Sequence, residues 1–253
     1  MMPGSTAALE VRGLGYRIGG AEIVSDVSLQ VRQGELLGII GPNGAGKTTL
    51  FNLMSGLARP SAGSVFLDGR EVTGLPPHKR AELGLGRTFQ TSALFGALST
   101  YENVRLAAQA NLGGSLRFWH LPRRSDDAGA LTAGALAEVG LDALADRPAA
   151  SLSHGDKRKL ELAILIASGA RVMMLDEPMA GVNRADMPML SELIGALREK
   201  GNTVVMVEHH MPVVLGLADR VAVIHQGRLL ACDEPARVME NQTVQDAYVG
   251  EPL

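Results

Sequence analysis

Internal disulfides are excluded at once, because the 253-residue chain holds a single cysteine, Cys232. One thiol cannot close a bridge, and it fits a reducing compartment. With no histidine beside it, it reads as a small buried hydrophobe rather than a nucleophile. Aromatics are scarce at 4%, so the core must be aliphatic, and a hydrophobic content of 46% suffices to build one. No run approaches the roughly 20 apolar residues of a membrane-spanning helix. The most apolar stretch, Leu160 to Leu175, is broken by Glu161, Ser168, Gly169 and Arg171. The first residues lack the basic-then-apolar order of a secretion signal. There is no long basic run and the net charge is −3, so nucleic acid is not expected as a partner. Repeats and low-complexity tracts are also missing. Any membrane role is therefore expected to come through a partner.

What is present is a phosphate-binding loop. Residues 41–49 read Gly41-Pro42-Asn43-Gly44-Ala45-Gly46-Lys47-Thr48-Thr49, the G-x-x-x-x-G-K-[ST] pattern. Its glycines let the backbone turn tightly and aim N–H groups at a triphosphate. Lys47 can reach the β- and γ-phosphates, and the Thr48 hydroxyl can ligate Mg²⁺. The apolar run Leu36 to Ile40 before the loop predicts a strand. Leu50 to Met54 after it has helical spacing. In that order, a helix N-terminus faces the anion.

The period-two alternation of Val27 to Val31 predicts a half-exposed antiparallel strand, and Ser64 to Gly69 a second β-rich piece ending in a turn. Asn103–Asn111, Ala128–Val139 and Lys157–Ala167 suit helices, separated by loop signals at Gly113-Gly114 and 121–125. Strand and helix then alternate: Val172–Leu175, Met187–Glu199, Thr203–Val207, Pro212–Ala218 and Val221–Ile224. That alternation predicts a parallel sheet covered by helices. The expected fold is an α/β P-loop core with a parallel sheet, an N-terminal antiparallel β subdomain and an inserted helical subdomain. The expected boundaries within one domain are 1–90 and 168–253 for the core and about 91–167 for the insertion.

The strand Val172 to Leu175 ends in Asp176-Glu177. Asp176 can hold the Mg²⁺ already touched by Thr48. The side chain of Glu177 must point elsewhere, and it can accept a proton from a water attacking the γ-phosphate.

Asp176-Glu177-Pro178, the phosphate loop and Leu152-Ser153-His154-Gly155-Asp156 together resemble an ABC ATPase, nearly end to end. The resemblance implies that Ser153 and Gly155 belong to a signature segment that closes over ATP bound to a second subunit. It also implies that Tyr16 stacks on adenine, and that Gln90 contacts Mg²⁺ or the lytic water. His209 is implied to hydrogen-bond the γ-phosphate. His154 and Asp156 depart from the usual signature, and Asn183 stands where most members carry Asp. These departures, with Gly86-Arg87-Thr88-Phe89-Gln90, Glu208-His209 and Tyr248-Val249-Gly250-Glu251, resemble the ATP-binding subunits of importers for branched-chain amino acids and related amides.

The resemblance implies ATP and Mg²⁺ as cofactors. It implies a second ATP-binding subunit, identical or similar, as a dimer partner, and integral membrane permease subunits gripped near Gln90 to Glu102, including Phe95 and Tyr101. A solute-binding protein is implied indirectly, and the location is the cytoplasmic face of the cell membrane. The expected function is an ATPase that powers import of branched-chain amino acids, related amides or small organic acids. The alternative is a soluble ABC-type switch acting on ribosomes, DNA or an assembly scaffold.

Overall fold

A computed structural model describes residues 7–88, 94–113 and 127–247. The chain divides into two compact units. The first is Met1–Arg87, Arg171–Pro178 and Gly195–Leu253, and the second is Thr88–Ala170 and Met179–Ile194.

In the first unit, Gly19 and Gly20 take φ of 55° and 87°. They turn the chain between antiparallel strands β1 (Ala7–Ile18) and β2 (Ala21–Arg32). Val24, Val27, Leu29 and Val31 are buried while Asp26, Ser28 and Gln30 are exposed, so the expected alternation is a strand with one face in the core. Strand β4 (Ala62–Leu67) and the short β5 (Arg70–Glu71) complete an antiparallel sheet of order β2-β1-β4-β5.

The second sheet contains β3 (Leu36–Ile40), β6 (Leu85–Arg87), β7 (Val172–Asp176), β8 (Thr203–Val207), β9 (Arg220–His225) and β10 (Arg228–Asp233). Their order is β10-β9-β3-β8-β7-β6, parallel throughout except for the β9–β10 hairpin. Every residue of β3, β7 and β8 is buried, as in parallel sheets covered on both faces. Ile39 lies opposite Val207, and Val207 opposite Asp176. The carboxyl ends of β3, β8 and β7 therefore stand side by side, at the edge where α/β sheets bind ligands.

Helix α1 (Lys47–Ser55) follows β3 and buries Leu50, Phe51, Leu53 and Met54. Its C-terminus closes on Gly56 at φ 81°, a left-handed cap that glycine adopts freely. Arg80, from α2 (Pro77–Glu82), is only 1% exposed and donates to the carbonyls of Leu53, Met54, Thr73 and Leu75. Burial lowers its pKa to about 10. It stays protonated at neutral pH, its charge held by those carbonyls and the negative helix end. The remaining helices carrying first-unit residues are α6 (Met187–Glu199), α7 (Met211–Leu217), α8 (Pro235–Glu240) and α9 (Gln242–Ala247).

The second unit is helical, built on α3 (Thr100–Asn111), α4 (Asp127–Glu138) and α5 (His154–Ala167), which pack against one another. Serines cap two of them: Ser99 Oγ accepts from Glu102 N–H, and Ser153 Oγ from Asp156 N–H. Among the described residues no helix is long and apolar enough to cross a membrane. The sequence did not announce β6, β10, α2, α8 or α9.

Candidate functional site

The phosphate loop fills the turn from β3 into α1. Gly41 sits at φ 154°, and a Cβ there would fall 2.0 Å from the Ile224 carbonyl oxygen. Gly46, the N-cap of α1 at φ 100°, would meet Ile23 O at 2.8 Å. Only glycine fits these positions. Gly44, at φ 78°, and Asn43 are exposed, Pro42 is half-exposed and Ala45 is buried. Lys47 is 6% exposed, and its Nζ donates to the carbonyls of Gly41 (2.5 Å) and Pro42 (2.9 Å). The ammonium is thus centred over the loop. Helix α1 has neither a capping side chain nor an acidic residue in its first turn, so its positive end suits an external anion. Thr48 is exposed and Thr49 half-exposed on that turn.

Asp176 closes β7 and is 1% exposed. Its Oδ2 accepts from Arg87 Nη2 at 2.7 Å. Glu177 follows at φ 49°, its N–H donating to Val207 O at 2.9 Å. The two adjacent carboxylates have different partners: Glu177 Oε1 lies 3.2 Å from His209 Nε2, while Asp176 is held by Arg87. The buried Glu208 carboxylate accepts from His209 N–H (2.7 Å) and His210 N–H (3.0 Å), which fixes the turn carrying His209. Two residues expected to act on the γ-phosphate thus touch each other. The chemistry available is an anion cradle, two hard oxygen donors in Thr48 and Asp176 that suit Mg²⁺, and a carboxylate–imidazole pair for proton handling.

Tyr16 lies on β1 opposite Val24 and packs partly against the apolar core. It also lines a cleft of about 310 Å³ with Gly13, Gly15, Arg17, Glu22 and Ser25. The Glu22 carboxyl there is held below its usual range by hydrogen bonds from Arg17 and Ser25. Gln90 and the Tyr248–Glu251 segment lie outside the described residues. Ser153 and Gly155 belong to the second unit, at the start of α5. Ser153 Oγ donates to Asp156 Oδ2 at 2.7 Å. A Cβ on Gly155 would meet Asp186 at an ordinary 3.5 Å, so sterics alone do not demand glycine there. Cys232 is half-buried against the core, where burial pushes its thiol up, and Arg220 Nη2 donates to its sulfur at 2.9 Å.

Sequence reasoning missed Arg87 and Glu208 as parts of the site. Both stood in the sequence only within motifs, and nothing local showed that Arg87 packs against Asp176 or that Glu208 holds the turn carrying His209.

A glycine loop at the end of a central parallel strand, an acid pair at the next-but-one strand end and a histidine between them define a P-loop ATPase. The profile described as "ABC transporter" matches residues 24–180, and the chain belongs to that family of ATP-hydrolysing transporter cassettes. It is 40% identical to the high-affinity branched-chain amino acid transport ATP-binding protein BraF of Pseudomonas aeruginosa, over 98% of this chain and 99% of that one. LivG of Salmonella typhimurium is 39% identical with the same coverage. The lipopolysaccharide export system ATP-binding protein LptB of Acidithiobacillus ferridurans is 36% identical over 90% of this chain and 91% of its own. Among solved structures, the ADP conformation of MJ1267, an ATP-binding cassette of an ABC transporter, superposes with a TM-score of 0.84 at 26% identity, covering 97% and 99% of the two chains.

Proposed function

We propose that this chain powers an importer of branched-chain amino acids, related amides or small organic acids. The observation that carries this reading is the 40% identity to BraF, sustained over 98% of the chain. The two units form one ABC ATPase domain, and two such chains, identical or similar, sandwich ATP. Lys47 and the amides of residues 41–49 bind the phosphates, and Tyr16 holds the adenine. Thr48, Asp176 and Gln90 would hold Mg²⁺, which would neutralise charge on the phosphate oxygens. Glu177 takes a proton from the attacking water. His209, whose Nε2 touches that carboxylate, hydrogen-bonds the γ-phosphate, and Ser153 with Gly155 of the opposite subunit covers it.

The chain sits on the cytoplasmic face of the membrane through its permease. Phe95 is 61% exposed, while its backbone is pinned on both sides by Asn103. A ring held outward on a fixed backbone suits a grip on permease helices. The similarity to LptB supports export as the second reading. The test is reconstitution with co-purified permease subunits and their solute-binding protein in vesicles. The expected result is ATP turnover and uptake stimulated by leucine, isoleucine, valine or a small amide. A complex whose turnover ignores all of these, or that moves solute outward, refutes the import reading.

A further inference from the structure

Arg87 is the last residue of β6, and its side chain is almost as enclosed as that of Asp176, at 8% and 2% exposure. Its guanidinium makes a three-way contact. Nη2 donates to Asp176 Oδ2 at 2.7 Å, while Nη1 donates to Asn52 Oδ1 at 2.8 Å and Ser55 Oγ at 2.7 Å. The group lies over Phe51, 5.3 Å from the ring centroid. Asn52 and Ser55 stand four and seven residues after Thr48 on α1, so the helix face that carries Thr48 also carries the anchors of Arg87. One rigid, buried fork therefore links the Thr48 helix to the Asp176 carboxylate. A group serving only to neutralise Asp176 needs one contact, whereas a fork with acceptors on two elements fixes a distance and a direction.

We propose that Arg87 is a positioning residue for the metal–nucleotide complex, bracing Asp176 against α1 and thereby raising the site's affinity for a divalent cation. This rests on the reading that Thr48 and Asp176 hold Mg²⁺. Two effects of the arginine oppose each other. Its charge repels a metal ion, and its brace pre-orients a metal ligand. Loss of such an outer partner costs about 10–100-fold in metal affinity, whereas loss of a neighbouring positive charge tightens binding. The buried, multiply bonded geometry assigns the larger weight to orientation.

The experiment is a Mn²⁺ titration of the full chain with ADP, read by electron paramagnetic resonance, where no turnover intervenes. Arg87→Met is expected to weaken Mn²⁺ binding about 10-fold or more, with metal-free ADP affinity in EDTA unchanged. Arg87→Lys recovers only part, because a point charge cannot span both elements. Asn52→Ala combined with Ser55→Ala leaves the arginine beside Asp176 and removes its anchor. It weakens Mn²⁺ in the same direction and answers the question even if Arg87→Met does not fold. Mn²⁺ binding that is unchanged or tighter in the Asn52/Ser55 variant overturns the proposal. Asp176→Asn separates the two levels. If it too leaves Mn²⁺ affinity unaltered, the ligand assignment fails. If it alone weakens binding, only the brace fails.

Discussion

At the scale of the residue, the adjacent acids Asp176 and Glu177 acquire different chemistry from different partners. Asp176 is tied to a buried guanidinium, while Glu177 adopts a left-handed backbone at φ 49° and meets His209 at 3.2 Å. A non-glycine residue in that region carries strain that persists only where its surroundings impose it. Here the bond from Glu177 N–H to Val207 O on the neighbouring strand does so. If Glu177 takes the proton of the attacking water, Glu177→Gln keeps the contact with His209 and loses only the base. Turnover is expected to fall by roughly 10²–10⁴ while ATP affinity holds, measured by phosphate release and by calorimetry. A wild-type rate removes Glu177 from the role. Asp176 and Glu177 stood out in the sequence because they end an apolar run that predicts a strand, whereas His209 was implied only by the resemblance to ABC ATPases. Arg87 did not stand out, since its partner Asp176 lies 89 residues away and only the folded sheet brings them together.

At the scale of the element, periodicity made the long pieces legible and left the short ones silent. The helices expected at 103–111, 128–139 and 157–167 are α3, α4 and α5, each with a buried face. Strand β6 has only Leu85, Gly86 and Arg87, too few residues to show a period, and β10 is a half-buried edge with no alternation. The missed β9–β10 hairpin nonetheless supports the site. At its turn, Gly227 N–H donates to Ala45 O at 2.9 Å, and its carbonyl accepts from Ser25 N–H at 2.8 Å. A Cβ on Gly227, at φ 75°, would lie 2.4 Å from Ile23 O. Gly201, at φ 91°, has nothing within 4 Å of its added Cβ. Both glycine-to-alanine changes carry the left-handed penalty of about 1–2 kcal/mol, but only Gly227→Ala collides with backbone, that of Ile23 and Val24 on β2, and so displaces the N–H that holds Ala45 O of the phosphate loop. The expected outcome is a lowered melting temperature in both and weakened ATP binding only in Gly227→Ala. Equal ATP affinity in the two variants removes the hairpin from the site.

At the scale of the whole molecule, the candidate functional positions divide between the two units. The phosphate loop, Asp176, Glu177 and His209 belong to the first, and Ser153 and Gly155 to the second. The solute leaves no trace in the sequence, because on the proposed function the solute never touches this chain. If Ser153 covers ATP on another subunit, the ATP-bound state of a hydrolysis-deficient chain must be a dimer. Glu177→Gln with MgATP is therefore expected to elute at twice the monomer mass, and to return to monomer when nucleotide is removed. Ser153→Asp in that background is the sharper probe. Aspartate caps a helix about as well as serine, so the bond that Ser153 Oγ now accepts from Asp156 N–H is kept, whereas the bond it donates to Asp156 Oδ2 is lost and two carboxylates meet there. Helix content by circular dichroism, matched to the parent, shows that α5 keeps its start. The added carboxylate would, however, face the γ-phosphate of the partner's ATP, and like charges brought together in a dry interface cost several kcal/mol. The double variant should bind ATP at its own loop with unchanged affinity and remain monomeric by light scattering. A dimer that survives Ser153→Asp with ATP bound places Ser153 away from the nucleotide and removes the composite site.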